Sequence, residues 1–311
     1  MWKDGASAQP VWATLTPTGG LLLNPTAART SLIVDPPDGR VPALAPEAKK
    51  AAAADREFSL ALLQATETCK NKLAACAGGT YDPMPSPRRA EPPPRYHAAK
   101  FGPRINRYDG PEDGTLADRC LMGGLPQFGL PESAFGGSYR RIVQTPGGIS
   151  MFYDVNQGQG WQRNIVMDGS PHLPANIRQW YGDSRGNWEG NTLVIDVTNF
   201  SPKTDFQGSR ENLHLVERWT RTGPTTLEYV VTLEDPTEWA QPWTVRQEFT
   251  QQSDEDNRIY HEPRCIEGNY GLPGLLRGTR AEERAFAEGR GPDPITRDLN
   301  GPGGAVPDPL E

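Results

Sequence analysis

The sequence predicts an all-β protein with peripheral helices, built on an antiparallel meander that closes into a barrel or half-barrel. From residue 138 onward, short segments of alternating polar and apolar residues are separated by turn residues. A hydrophobic content of 36% is enough for a sizeable core. The 31 prolines among 311 residues require long stretches of loop or extended chain. One structural domain is expected.

Three segments are predicted to precede the meander within the first 137 residues. Residues 1–45 form an irregular N-terminal arm whose short strand, 31–34, ends at the turn sequence DPPDG. A helix is predicted over 46–77, because Pro46 suits the first helical turn and the following run is rich in Ala, Leu, Lys and Glu. Residues 78–137 are rich in Pro and Gly and without periodicity, so this segment is expected to wrap the body.

Residues 138–264 are predicted to form the barrel core. A meander of this length usually curls to remove its open edges. A short helix over 279–288 and a tail are expected within the last segment, 265–311. The predicted strands are 139–144, 149–155, 161–167, 176–182, 188–198, 213–220, 227–234, 243–251 and 258–262.

Charge and motifs exclude several classes of function. The net charge is −7 and no long basic cluster is present, which argues against a nucleic-acid partner. The sequence contains no run of 18 apolar residues, so no membrane span is predicted. The chain lacks a phosphate-binding loop, a dinucleotide fingerprint and a serine-hydrolase elbow, and its histidines have no metal-ligand spacing. No cofactor and no metal are therefore expected.

The cysteines and the N-terminus bear on the compartment. Four cysteines allow three pairings, and in an exported protein the natural interpretation is Cys69–Cys76 with Cys120–Cys265. The alternative is four buried thiols in a cytosolic protein. The sequence Ala-Ser-Ala at residues 6–8 has the form of a signal-peptidase site. We expect a periplasmic or secreted protein.

Period-two alternation assigns one apolar face of the sheet to the interior, and some polar residues lie on that face. Glu217 lies between Leu215 and Trp219, and an unpaired carboxylate there would cost several kcal/mol. Two interpretations stay open: an ion pair with Arg163 or Arg141, or a general acid whose pKa is raised.

Further candidates follow from position. Three histidines join Glu217 as candidate acid–base groups: His172 in the DGSPHLP loop, His261 in the last strand, and His214, together with Asp183. His214 lies on the opposite, charged face, which is interpreted as a solvated surface with cross-strand pairs unless something covers it. The candidate substrate-binding residues are Arg163, Arg141, Trp180, Tyr181, Tyr229, Gln247 and Tyr270.

Five segments resemble a family of secreted bacterial proteins with no established activity. They are SLIVDPPDGR, DGSPHLP, WYGDSRGNWEGNTLVIDVTNF, LHLVERWT and CIEGNY. The resemblance covers roughly residues 31–45 and 118–284, so the helix with Cys69 and Cys76 looks like an insertion. Members carry Arg in place of Ser170 and His in place of Ile266, so no shared catalytic role is expected at those positions. The resemblance implies export and brings no catalytic residues.

Two functions are consistent with these residues. The first is a secreted, cofactor-independent lyase, isomerase or hydrolase that acts on a small glycoside or phenolic compound in the barrel cavity. Glu217 and a histidine would then serve as acid and base, and an arginine would stabilise negative charge. The alternative is a lipocalin-like (calycin-like) periplasmic protein that binds a small molecule without turnover. Contact between Glu217 and a bound ligand or a histidine favours the enzyme, whereas a bidentate pair with an arginine favours the binder.

Overall fold

The structure, a computed structural model, describes residues 31–98, 105–121, 124–127, 139–155, 159–251 and 270–299. It also gives the backbone of three short strands before residue 31. Side chains are described from residue 31 onward, except at 139–140, 154–155, 159–160 and 250. The described chain is mostly β, with few helices, and none of those helices is long and apolar enough to span a membrane.

The sequence predicts one domain, whereas the contacts between residues divide the chain into two compact units. Unit 1 consists of residues 1–48 and 124–265, and unit 2 consists of residues 49–123 and 266–311. The division arises because the helices and the Pro/Gly-rich segment have apolar side chains that pack among themselves, with Phe58, Leu62 and Ile105 at their centre.

One ten-stranded sheet dominates unit 1. It contains the strands of the predicted meander, although one pair of neighbours is not antiparallel as predicted, and two strands of the N-terminal arm join it. Its strands are β1 (Trp2–Asp4), β4 (Ile33–Asp35), β5 (Tyr139–Thr145), β6 (Gly148–Val155), β7 (Gln159–Val166), β8 (Asp183–Glu189), β9 (Thr192–Thr198), β10 (His214–Arg221), β11 (Thr226–Glu234) and β12 (Trp243–Gln251). A separate hairpin pairs β2 (Thr14–Leu15) with β3 (Leu21–Leu22).

The sheet is mixed, with strand order β1-β5-β6-β7-β8-β9-β10-β11-β12-β4. All neighbours are antiparallel except β7 and β8, which are parallel at Val166 and Arg185. The loop 167–182 joins these two strands in place of a tight turn, and β8 continues in the direction of β7 from near its end. β1 pairs with β5 on one side and with β12 on the other.

Two strand predictions were wrong. The segment 188–198 is not one strand but the hairpin of β8 and β9, which turns at Gly190 with a positive φ of 59°. The segment 176–182 belongs to the loop before β8 and makes only an isolated bridge, from Gln179 to Phe200. The predicted strand 258–262 lies outside the described residues.

The helices of unit 2 depart from prediction at their ends. α1 (Pro46–Leu63) begins at Pro46 as predicted, but it stops well before residue 77. The hydroxyl of Thr66 accepts a hydrogen bond from the Cys69 amide and begins a separate turn, α2 (Glu67–Lys70). α3 (Gly271–Ala287) begins eight residues earlier than expected. The described residues of 78–127 contain only short 3₁₀ turns, at Pro87–Ala90 and Pro111–Asp113.

The predicted disulfide in the helical segment is present. Cys69 and Cys76 are bonded, with their Cα atoms 5.0 Å apart. Cys120 is disulfide-bonded as well. Cys265, the partner predicted for it, lies outside the described residues, so that pairing stays a prediction.

The predicted interior face of the last three described strands is confirmed. In β10, the residues at alternate positions 215, 217 and 219 are buried, and the same holds for 229, 231 and 233 in β11 and for 243, 245, 247 and 249 in β12. The opposite face carries cross-strand ion pairs, such as Arg218 with Glu189 and Arg246 with Glu228. Alternation therefore located the part of the core of unit 1 that these three strands contribute.

Candidate functional site

A cavity of about 790 Å³ lies at one end of the sheet of unit 1. Its walls come from three hairpins, formed by β5 with β6, β8 with β9, and β10 with β11. The turns of these hairpins meet at the same end of the sheet, because β5, β8 and β10 run in the same direction. The volume lies within the range of small-molecule sites in proteins.

The cavity wall is apolar inside and polar at the hairpin turns. The apolar lining residues are Ile142, Ile149, Met151, Leu193, Trp219 and Leu227, with Trp188 beside the β8–β9 turn. The polar lining residues are Gln144, Asn191, Arg221 and Thr222. A ligand with an apolar body and one polar end would match this division.

A buried polar cluster lies on the same interior face of the sheet. The guanidinium of Arg163 donates from Nη1 to Glu217 Oε2 at 2.7 Å and from Nε to Ser184 Oγ at 2.8 Å. The Tyr229 hydroxyl donates to the other carboxylate oxygen of Glu217 at 2.8 Å. Arg163 also contacts the Tyr153 hydroxyl at 3.2 Å. Both oxygens of Glu217 are therefore used by strong donors.

The electrostatics of this cluster shift the pKa values of Arg163 and Tyr229. Burial lowers the pKa of Arg163, but the Glu217 carboxylate and the Tyr153 hydroxyl raise it, and the net shift is upward. Burial, reinforced by the charge of Glu217, raises the pKa of Tyr229 well above its ordinary value. Tyr229 is thus a neutral donor and Arg163 a permanent cation.

This cluster adjoins the cavity through two lining residues. Met151 lies directly opposite Arg163 across the β6–β7 pair. Trp219 is two residues from Glu217 on the same face of β10, and its ring centroid lies 4.3 Å from that of Tyr229. The ion pair thus joins β10, which carries part of the cavity wall, to β7, which lies between the wall strands β6 and β8.

A second polar cluster lies on the outer face of the same sheet. His172 Nδ1 is 2.8 Å from Asp183 Oδ2, and His172 Nε2 is 2.8 Å from Asp196 Oδ1. The other oxygen of Asp196 lies 3.0 Å from His214 Nε2, and His214 Nδ1 lies 3.5 Å from Glu234. We name these residues, His172, Asp183, Asp196, His214 and Glu234, the outer-face cluster.

The outer-face cluster holds the loop before β8 against the sheet. Asp183 accepts hydrogen bonds from the Leu173 amide at 3.0 Å and from two nitrogens of Arg185. Burial raises the pKa of Asp183, but the bonds from Leu173, Arg185 and His172 outweigh it, and the net pKa is lowered. These interactions place an ionised carboxylate beside an imidazole, an arrangement able to take up and release protons.

Stability should depend on pH through His214. The hydrogen bond to Asp196 raises the pKa of His214 above 6.5, and the same bond lowers the pKa of Asp196 below 3.8. The contribution is complete between these two values and is lost as pH rises through the raised pKa of His214. Because the histidine side chain is 35% exposed, we expect His214→Gln to cost only about 0.3–1 kcal/mol more at pH 5.5 than at pH 9.

Urea unfolding of both proteins at the two pH values measures this difference. Arg218→Gln is the control, because it removes an ion pair on the same outer face, with Glu189, that contains no histidine. An equal cost of His214→Gln at both pH values would contradict the assignment.

Several residues predicted for the site do not belong to the interior cluster around Glu217 or to the outer-face cluster. Arg141 was wrongly assigned to the interior: it is exposed on β5, because its neighbour Ile142 faces the cavity. Of the pairings left open for Glu217, the structure contains the one with Arg163. Tyr270 is 93% exposed, since it directly precedes α3 in unit 2 rather than following a strand. His261 lies outside the described residues.

The remaining predicted residues are distributed between the two faces. Tyr181 is buried and stacks on Tyr153 with ring centroids 6.0 Å apart, while Trp180 is half-buried in the loop before β8. Gln247 is buried on the interior face, opposite Tyr229. His172, His214 and Asp183 meet in the outer-face cluster, and Glu217 is not in contact with them among the described residues.

Sequence reasoning missed three residues of consequence. Asp196 joins both histidines, and its position as the only acidic residue in the apolar run of β9 was an available signal. Arg221 and Trp188 line the cavity, and no pattern distinguished them from surface residues of strand ends. Within the described part of the chain, no group of His, Cys, Asp or Glu side chains is arranged to hold a metal ion.

Comparison with known proteins adds little. The chain matches no protein-family model and no curated protein sequence. Among solved structures, it is similar to a mutant of the fluorescent protein UnaG at 15% identity, over 37% of this chain and 71% of that one, with a TM-score of 0.23. A similarity of this size supports no conclusion about ligand or activity.

Proposed function

We propose that the protein binds a small molecule in the cavity between the three hairpins, as a lipocalin-like binding protein does. The observation that carries this proposal is the cavity itself, which combines adequate volume, an apolar wall and a polar rim in one unit. Trp188 and Trp219 provide flat surfaces for a ring.

The state of Glu217 favours binding over turnover. The acid–base hypothesis requires a histidine beside this carboxylate, and Arg163 and Tyr229 occupy its two oxygens instead. Such an ion pair organises the strands but leaves no free acid at Glu217. Glu217 is therefore a positioning residue in this proposal.

Export to an oxidising compartment is part of the proposal. The Cys69–Cys76 disulfide supports it, because disulfides persist in periplasmic and secreted proteins and are rare in the cytosol. The resemblance of five sequence segments to a secreted family points the same way.

The proposal is tested by filling the cavity. Ile142→Trp places a large ring in the cavity, whereas Val143→Trp places the same ring on the exposed opposite face of β5. N-phenyl-1-naphthylamine, a neutral dye whose emission rises in apolar sites, should bind the native protein with a Kd on the order of 10–100 µM. We expect Ile142→Trp to weaken binding at least about tenfold, since the filled volume excludes the rings.

Val143→Trp is expected to bind the dye with the native affinity. Equal binding by both variants would place the dye outside the cavity. A native protein that does not bind the dye would contradict the proposal.

A further inference from the structure

Arg221 is the one charged side chain among the described residues that line the cavity. It stands at the end of β10, where the wall changes from apolar to polar. None of the described lining residues is acidic, although the whole chain carries a net charge of −7. The cavity therefore differs in charge from the protein that surrounds it.

The guanidinium of Arg221 is held by the backbone and not by a carboxylate. Its Nε donates to the Gly223 carbonyl at 3.2 Å, and its Nη2 donates to the Pro224 carbonyl. Both carbonyls belong to the turn between β10 and β11, so the planar head is oriented without being neutralised. No described carboxylate lies within ion-pair distance of it.

The β8–β9 hairpin, which lies beside Arg221 in the cavity wall, carries one carboxylate near its turn, and that carboxylate already forms an ion pair. Glu189 ends β8, next to the turn that lines the cavity, and its carboxylate pairs with Arg218 Nη2 at 2.7 Å on the outer face. Arg221 thus keeps its charge available for an external anion. An oriented guanidinium suits a planar anion such as a carboxylate, which can accept two parallel hydrogen bonds.

We infer that the ligand is an apolar organic anion, such as an aromatic carboxylate, whose charged end meets Arg221 while its rings lie against Trp219 and Met151. This inference rests on the proposed function and adds the chemical class of the ligand. The division of the wall fixes the orientation, because the apolar lining lies deeper than the turn that carries Arg221.

A matched pair of dyes tests the inference. 8-Anilino-1-naphthalenesulfonate has the skeleton of N-phenyl-1-naphthylamine and adds one anionic group. The native protein should bind the anion at least about tenfold more tightly than the neutral dye at low salt, because charge-assisted bonds to arginine form in a partly apolar site. In Arg221→Gln this preference for the anion over the neutral dye should fall below about threefold.

Two variants distinguish the loss of the positive charge at Arg221 from a general effect on the structure. Arg221→Lys keeps the cation and should retain most of the preference. Arg178→Gln is the matched control, because Arg178 is also exposed and also donates to two backbone carbonyls, those of Phe200 and Glu211, but does not line the cavity. The Ile142→Trp variant should weaken both dyes, which places the anion in the cavity rather than on the surface.

The outcomes distinguish the two proposals. If the dyes bind the native protein equally, or if Arg221→Gln keeps the full preference, the anionic class is wrong and cavity binding stands. If neither dye binds, the proposed function fails and the inference fails with it.

Discussion

Replacing Glu217 with glutamine should lower the free energy of unfolding by about 3–5 kcal/mol. The substitution is nearly isosteric, so packing is preserved, but Arg163 is left as a charged group in the interior without its counterion. Both side chains are almost completely buried, at 2% exposure for Arg163 and 1% for Glu217. Water cannot replace the lost carboxylate at this depth, and the cost is the desolvation of an uncompensated cation.

Chemical denaturation with a matched surface variant measures this effect. Glu248→Gln makes the same chemical change on the exposed face of β12 and should cost less than about 0.5 kcal/mol. Adding Arg163→Met to Glu217→Gln removes the orphaned charge and should recover most of the loss. A loss below about 1 kcal/mol for Glu217→Gln would show that the pair is solvated.

Replacing Trp219 with alanine should reduce stability by about 3–5 kcal/mol and abolish binding of the dye at concentrations that saturate the native protein. The indole ring packs against Tyr229 at 4.3 Å and Phe249 at 5.3 Å between ring centroids. Removing it therefore costs aromatic packing inside the sheet and also one wall of the cavity.

Two further variants separate packing from binding. Trp219→Phe keeps an aromatic ring and should lose less stability than the alanine variant while still binding the dye. Trp188→Ala removes a lining ring that is 49% exposed, so we expect weaker dye binding with little loss of stability. Undiminished dye affinity in Trp219→Ala would show that the ring is core and not part of a binding wall.

The interior face could be predicted because period two is a strong physical constraint. A one-residue error in β10 would have moved Leu215, Glu217 and Trp219 together to solvent, and burial of all three confirms the assignment. The same rule failed at Arg141, where β5 alternates between residues of similar character and hydrophobicity does not distinguish its faces. Val143 is apolar and half-exposed, while Ile142 beside it lines the cavity.

The candidate site was less predictable because it depends on which strands become neighbours. Arg163 and Glu217 are 54 positions apart in the chain, and two intervening strands bring them within 2.7 Å. The alternation of polar and apolar residues in β7 and β8 does not indicate that the two strands pair in parallel. The loop 167–182, which joins them, also brings His172 to Asp183 and Asp196.

The most direct measurement is a crystal structure of the native protein with N-phenyl-1-naphthylamine bound. The account predicts density for the dye between the β5–β6, β8–β9 and β10–β11 hairpins, with its rings against Trp219 and Met151. Density on the outer face beside His172 and His214, or a saturated protein whose cavity holds no dye, would contradict it.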